Sequence, residues 1–135
     1  MEYPKIETLF ERDEGHFVLT DRLRRPEVKC IKEWHVTEKI DGTNIRVCLS
    51  STGEVSFKGR TDAAQLHAGL VKVLQRMLPP EKMREVFRGE QGAPPEVVLF
   101  GEGYGAGIQK GGIYRPDPAF RLFDVLIDEK WWLNP

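Results

Sequence analysis

The run Asn44 to Leu49 (NIRVCL) alternates apolar and polar residues, and such a chain buries Ile45, Val47 and Leu49 together only as one face of a β-strand. Ser50 to Gly53 (SSTG) has the small and polar residues of a hairpin turn, and Glu54 to Gly59 (EVSFKG) returns as the partner strand. Val97 to Phe100 is a continuous apolar run, the pattern of a strand covered on both faces. Phe120 to Ile127 (FRLFDVLI) is a further strand, and Trp131, Trp132 and Leu133 begin another element that Pro135 cuts short. Trp34 and Val36 predict a strand ending at the EKIDG turn, with Lys39 closing it. The first thirty or so residues read as an irregular lead-in with one short strand.

Between the strands, Leu66, Leu70, Val73, Leu74 and Met77 recur at helical spacing, so the sequence predicts a helix from about Ala63 to Met77 capped by Asp62. Pro79 and Pro80 stop it and open a shorter helix through Phe87, and a loop spans Gly89 to Pro95. Both helices read as packing elements, and His67 as a surface or boundary histidine. Hairpins with two helices make an α+β fold of antiparallel sheets with packed helices. At 135 residues and 15.5 kDa the chain is the size of one domain, residues 1–135.

Lysine and arginine total 20 against 21 acids, a formal net charge of −1, so nucleic-acid binding would need a local basic face. Asp21 to Lys32 (DRLRRPEVKCIK) is the densest positive segment, read equally as a solvated strip or as a nucleic-acid contact. Cys30 and Cys48 do not form a redox CxxC or a zinc pattern. Reduced thiols, a charged start broken by Pro4, and no apolar run near the roughly 20 residues of a membrane span lead to the expectation of a cytoplasmic protein.

The chemistry concentrates at four places. Lys39 lies in EKIDGTN, and a lysine amine attacks phosphorus only when neutral, which asks for burial or nearby cations. Gly42 lets the backbone approach a phosphate or take a positive φ, and Asp41 and Asn44 can tie the turn by side-chain hydrogen bonds. Taken alone, KxDG reads as an ordinary hairpin turn with a surface lysine, and it is the motifs downstream that overturn this reading. Arg60 follows FKG, Glu102 follows VVLFG and Asp124 follows FRLF, each expected at a strand end, where rigid scaffolds place functional groups.

In this order the segments resemble those of the covalent nucleotidyltransferases: ATP-dependent DNA and RNA ligases and mRNA capping enzymes. EKIDGTN is similar to their nucleophile motif, FKGRT to their arginine segment, LFGEGYG to their glutamate segment and FRLFDVLI to their aromatic segment. YPKIETLFERD and GEGYGAGIQKGG look specifically like phage-type RNA ligases. The resemblance implies an adenylyltransferase domain of the ATP-grasp-like ligase type that uses ATP and Mg2+ or Mn2+ and acts on RNA ends or a nicked duplex, as in RNA repair in a phage or bacterial host. Lys39 would attack the α-phosphorus to form lysyl-AMP, and AMP would pass to a 5′-phosphate end before a 3′-hydroxyl seals it. Glu38, Ile40, Asp41, Gly42 and Asn44 would belong to the nucleotide site, which the resemblance makes a cavity shaped for a purine beside Lys39. Glu102 would take the ribose hydroxyls, Arg60 the ribose or a phosphate, and Phe123, with Phe120 competing, would stack on the adenine. Arg46, Lys58 and Lys110 would meet nucleic acid, with Arg46 alternatively orienting the nucleophile loop, and Gln109 and Lys110 alternatively forming a surface loop. The sequence names no metal ligand.

The family pattern continues with a second, metal-supporting glutamate motif and then with a pair of lysines, which hold the triphosphate and neutralise its charge. The sequence read to Pro135 contains neither, so the expectation is a domain incomplete at its C-terminus that adenylylates itself poorly or not at all, with an unfinished sheet edge near Trp131 and Trp132 open to self-association. A DNA ligase, a GTP-using capping enzyme and a non-catalytic nucleotide- or RNA-binding remnant are the alternatives.

Overall fold

A computed structural model describes residues 1–89 and 92–133. Glu90 and Gln91, inside the expected loop, and Asn134 and Pro135, where the last element is expected to stop, lie outside the described residues. The chain, expected to be one domain, divides by its internal contacts into two compact units: Pro4–Lys39, and Met1–Tyr3 together with the chain from Ile40 onward.

The Pro4–Lys39 unit is more ordered than its composition suggests. Strands β1 (Phe10–Arg12) and β2 (Val18–Leu23) form an antiparallel hairpin, where the sequence predicts one strand. The Asp13 carboxylate accepts the Phe17 N–H at 2.8 Å and so closes the turn, a local side-chain bond that apolar periodicity does not reveal. A 3-10 turn over Pro26–Cys30 follows. The strand expected around Trp34 and Val36 is absent, and residues 31–39 are exposed without regular structure. A strand persists only where a neighbour takes up its backbone hydrogen bonds, and none pairs with this stretch among the described residues.

The larger unit is a five-stranded antiparallel sheet in the order β4-β3-β5-β6-β7. Its strands are β3 (Thr43–Leu49), β4 (Val55–Lys58), β5 (Val97–Tyr104), β6 (Ala119–Ile127) and β7 (Trp131–Leu133). Gly53 takes φ +82 in the β3–β4 turn, the left-handed conformation that explains a glycine at the end of SSTG. Helices α1 (Ala68–Met77) and α2 (Pro80–Val86) lie on one face. The alternation in β3 and β5 places Ile45, Val47, Leu49, Val97 and Leu99 in one buried cluster with Leu70 and Leu74 of α1 and Met83 of α2. Gly103 makes close packing of α1 possible: a Cβ there would lie 2.3 Å from Leu70 Cδ2.

Helix α1 starts at Ala68 rather than Ala63, and no side chain caps it. Asp62 is committed elsewhere, to Arg46 at 2.7 Å and Lys58 at 3.3 Å, and so does not serve as the cap. Glu102 and Asp124, expected at strand ends, sit within β5 and β6. Strand β5 runs on through Gly101, where a Cβ would meet the Phe120 ring at 2.3 Å, so glycine lets the strand continue beneath that ring.

The other face has its own aromatic cluster. Tyr3 packs against Phe100 and Phe123 at ring centroid distances of 5.0 Å each, and Trp132 stacks on Phe100 at 5.5 Å. The Tyr3 hydroxyl donates to the Asp124 carboxylate. Burial, and then the hydrogen bond and charge of Asp124, push the Tyr3 phenol from 10.0 up to about 12.

Leu70→Ala removes a fully buried side chain over Gly103 and is expected to cost about 2–5 kcal/mol in chemical denaturation. The Tyr3 phenol holds its proton more tightly folded than unfolded, so its contribution is complete below about pH 10 and is lost as pH rises towards about 12. The parent is therefore expected to lose stability over that range more steeply than Tyr3→Phe; identical pH profiles would contradict the Tyr3–Asp124 contact.

Candidate functional site

Register brings the polar residues of one sheet face into rows. In the β3–β5 ladder Asn44 stands opposite Glu102, and in β5–β6 Glu102 stands opposite Arg121. Directly opposed residues of antiparallel strands share a face, with Cβ atoms about 5 Å apart. Asn44, Glu102 and Arg121 thus form a polar row across three strands, away from the helices. The next row is Lys58, Arg46, Phe100 and Asp124. The β3–β4 ladder ends at Arg46 and Lys58, so Arg60 leaves the sheet, exposed, at the Asn44 end of β3.

A bulge separates the two phenylalanines that compete for one role. The β5–β6 register shifts between Phe100 and Gly101 and leaves Phe123 as the extra residue beside Asp124. Phe123 then meets Tyr3, whereas Phe120 packs against the core under the helices. Phe123 is on the polar-row face and Phe120 is not.

The turn before β3 is held by backbone contact. A Cβ on Gly42 would fall 2.3 Å from the Gly103 carbonyl oxygen, so this position requires glycine for close approach, not for a positive φ. The Asp41 N–H donates to Tyr114 Oη at 3.3 Å, and Tyr114 meets Tyr104 edge-on. The glycine-rich segment therefore pins Asp41, and Gly103 pins Gly42, at the end of β5. It bends back at Gly105, whose φ of +119 and whose 2.3 Å Cβ approach to the Asp117 carbonyl oxygen exclude any side chain. Lys110 is exposed in that segment.

Arg46, expected to meet a phosphate or orient the nucleophile loop, is a tie within the fold. It is 3% exposed, and it donates to Gly59 O at 2.8 Å, Met1 O at 2.9 Å and Asp62 at 2.7 Å. A buried guanidinium needs such partners, and with them its charge is not presented to a ligand. The Arg46 hydrogen bond, followed by that of Lys58, holds the Asp62 carboxyl below the usual range. Lys58 is half-buried at that same carboxylate.

Asn44 Oδ1 is a buried acceptor without a hydrogen-bond partner among the described residues. Native folds rarely leave such an atom unsatisfied, and a donor from a ligand would complete it. Its place beside the half-buried Glu102 makes this row the part of the sheet best suited to a small polar molecule. Among the described residues no group of three or more His, Cys, Asp and Glu could hold a metal ion.

Lys39 and Glu38 are the last residues of the Pro4–Lys39 unit, and both are exposed. The burial expected of a nucleophilic amine is not present, because the chain around it forms no strand. Ile40 is half-buried and Asp41 exposed, in the other unit. A hollow of about 670 Å³ lies at the opposite end of the sheet, by Leu49, Val97 and the Thr52–Gly53 turn, and a second, of about 420 Å³, lies within the Pro4–Lys39 unit; Glu102 borders neither. One sheet face supplies only one wall of a cavity. Tyr3, Tyr114 and Arg121 were not singled out from sequence; an isolated aromatic or arginine carries no periodic signal.

The fold has solved relatives. Three structures of Naegleria gruberi RNA ligase match with a TM-score of 0.56: a lysine-to-methionine variant with AMP and Mn, at 22% identity, and two lysine-to-alanine variants with ATP and Mn, at 23% and 22%. Each match covers 72% of this chain, and the chain spans only 27–28% of the length of those proteins. No curated protein matches the sequence. The RNA ligase family profile matches residues 32–135, most of the sequence, including the KIDG turn, the Asn44–Glu102 row and the strand that bears Phe123. The chain belongs to the RNA ligase family.

Proposed function

We propose that this chain contributes the nucleotide-receiving sheet of an RNA ligase adenylyltransferase domain. The observation that carries the reading is the Asn44–Glu102 pair, an unsatisfied buried amide oxygen directly across from a carboxylate. An adenosine offers donors of both kinds needed there: its exocyclic amine or a ribose hydroxyl for Asn44, and the remaining hydroxyls for Glu102. Phe123 lies one row away on the same face and presents a ring for the base, and Arg60 leaves the sheet where a phosphate would be met.

The Lys39 amine, once neutral, attacks the α-phosphorus of ATP. A nitrogen–phosphorus bond forms, the bond from the α-phosphorus to its bridging oxygen breaks, pyrophosphate leaves, and the amine proton passes to solvent. AMP then transfers to a 5′-phosphate RNA end and is displaced by a 3′-hydroxyl. Lys39 is three residues from Gly42, so the chain alone keeps their Cα atoms within about 11 Å. Solved relatives carry AMP or ATP with Mn, which supports ATP and a divalent ion as the companions of this sheet. The ion would neutralise charge on the phosphates, held by their oxygens rather than by a protein cluster. The exposure of Lys39 favours a second reading, a module that binds nucleotide or RNA without turnover.

Incubation with α-labelled ATP and Mg2+ or Mn2+ is expected to give an acid-labile protein label that Lys39→Ala abolishes while ATP binding persists. Label from GTP instead would indicate capping chemistry, binding without label the non-catalytic module, and no nucleotide binding would overturn the proposal. Asn44→Ala is expected to weaken ATP binding about fivefold, the worth of one hydrogen bond near 1 kcal/mol, without lowering the melting temperature, since the amide oxygen has no partner among the described residues. A fall in melting temperature with unchanged affinity would make Asn44 a purely structural residue.

A further inference from the structure

We infer that the Pro4–Lys39 unit carries a separate binding site for single-stranded RNA, with a base stacked on Trp34 and the adjoining phosphates on Lys5, Arg24 and Arg25. These residues line one groove of about 420 Å³ within that unit, a volume in the range of small-ligand pockets. Its floor is apolar and open: Trp34 is 55% exposed, Ile31 47% and Leu9 42%. An indole left in water beside aliphatic side chains is a platform for a flat, unstacked ring.

The rim supplies the charge. It holds Lys5, Arg24 and Arg25 against one carboxylate, Glu7. Arg25 Nε donates to Glu7 at 2.9 Å, which fixes the guanidinium at the groove edge, while Lys5 and Arg24 make no ion pair among the described residues. The Arg25 hydrogen bond and charge hold the Glu7 carboxyl below its usual range, and Arg24 and Lys5 add to this, so the three cations converge on one place. Positive charge beside an exposed aromatic is the combination that binds a single strand, one for phosphates and the other for bases. An acidic peptide would use the cations and leave the indole idle. A duplex keeps its bases stacked and offers none to Trp34.

The choice of RNA rests on the family, and the placement rests on this groove, which shares no residue with the Asn44–Glu102 row. Titration of the full chain with a short fluorescent single-stranded RNA is expected to show binding that weakens with salt. The log–log slope should fall by about 0.7 for each phosphate contact removed, hence by about 1.4 in Lys5→Ala/Arg24→Ala. Trp34→Ala is expected to lose about fivefold to 150-fold in affinity and Trp34→Phe to retain most of it, with circular dichroism unchanged in both. The titration is carried out without ATP or a divalent ion, which separates this site from adenylylation. Parent-like affinity and slope in both the Trp34→Ala and the double variant would overturn the inference. So would tighter binding of duplex RNA of the same length, or displacement of the RNA by polyglutamate that leaves Trp34 without effect.

Discussion

The antiparallel pairing of β3 with β5 is the constraint on which the rest of the larger unit depends. These strands occupy the inner positions of the sheet, and their register decides what lies on each face. Because side chains alternate with a period of two, a slip of one residue would carry Ile45, Val47 and Leu49 out of the core and put Asn44 and Arg46 into it. The buried aliphatic residues oppose that slip, and so do the glycines. A side chain at Gly103 would collide with Leu70, and one at Gly42 would collide with the Gly103 carbonyl oxygen.

Given that register, the character of each face follows. One side of the sheet is satisfied by α1 and α2. The other is polar at the Asn44–Glu102–Arg121 row and aromatic one row away, where Tyr3, Phe100, Phe123 and Trp132 gather. Arg46 stands at the junction. Its three acceptors join β3 to Gly59, to Asp62 and to the first residue of the chain, so a charge that would be costly if buried alone instead fastens three segments together. Asp62 is held in this way, and α1 begins further along the chain, at Ala68.

The Pro4–Lys39 unit is organised differently, by short polar contacts rather than by an apolar core. The Asp13–Phe17 bond and the Arg25–Glu7 pair hold its turns, while Phe17, Ile31, Trp34 and Val36 remain exposed. Hydrophobic side chains without a core leave a surface suited to partners rather than to packing. Lys39 ends this unit and Ile40 begins the next, so the KIDG segment straddles the division.

Strand positions in the larger unit were legible because apolar alternation and glycine-proline punctuation are local properties of the chain. The β3–β4 hairpin, β6, β7, the end of α1 and the start of α2 all lie where those signals put them, and the ordered motifs were enough to suggest the RNA ligase family. The start of α1, the length of β5, the absence of a strand at Trp34, the pairing of β1 with β2 and the role of Arg46 were not legible. Each depends on a partner distant in sequence or on a side-chain bond that composition does not reveal. Sequence by itself determined which residues are apolar, where the chain turns and which chemical groups it carries. Only the tertiary structure decided that Asn44 faces Glu102, that a bulge puts Phe123 and Phe120 on different faces of the sheet, and that Arg46 is a tie, because register, bulges and buried ion pairs are settled by strands meeting one another.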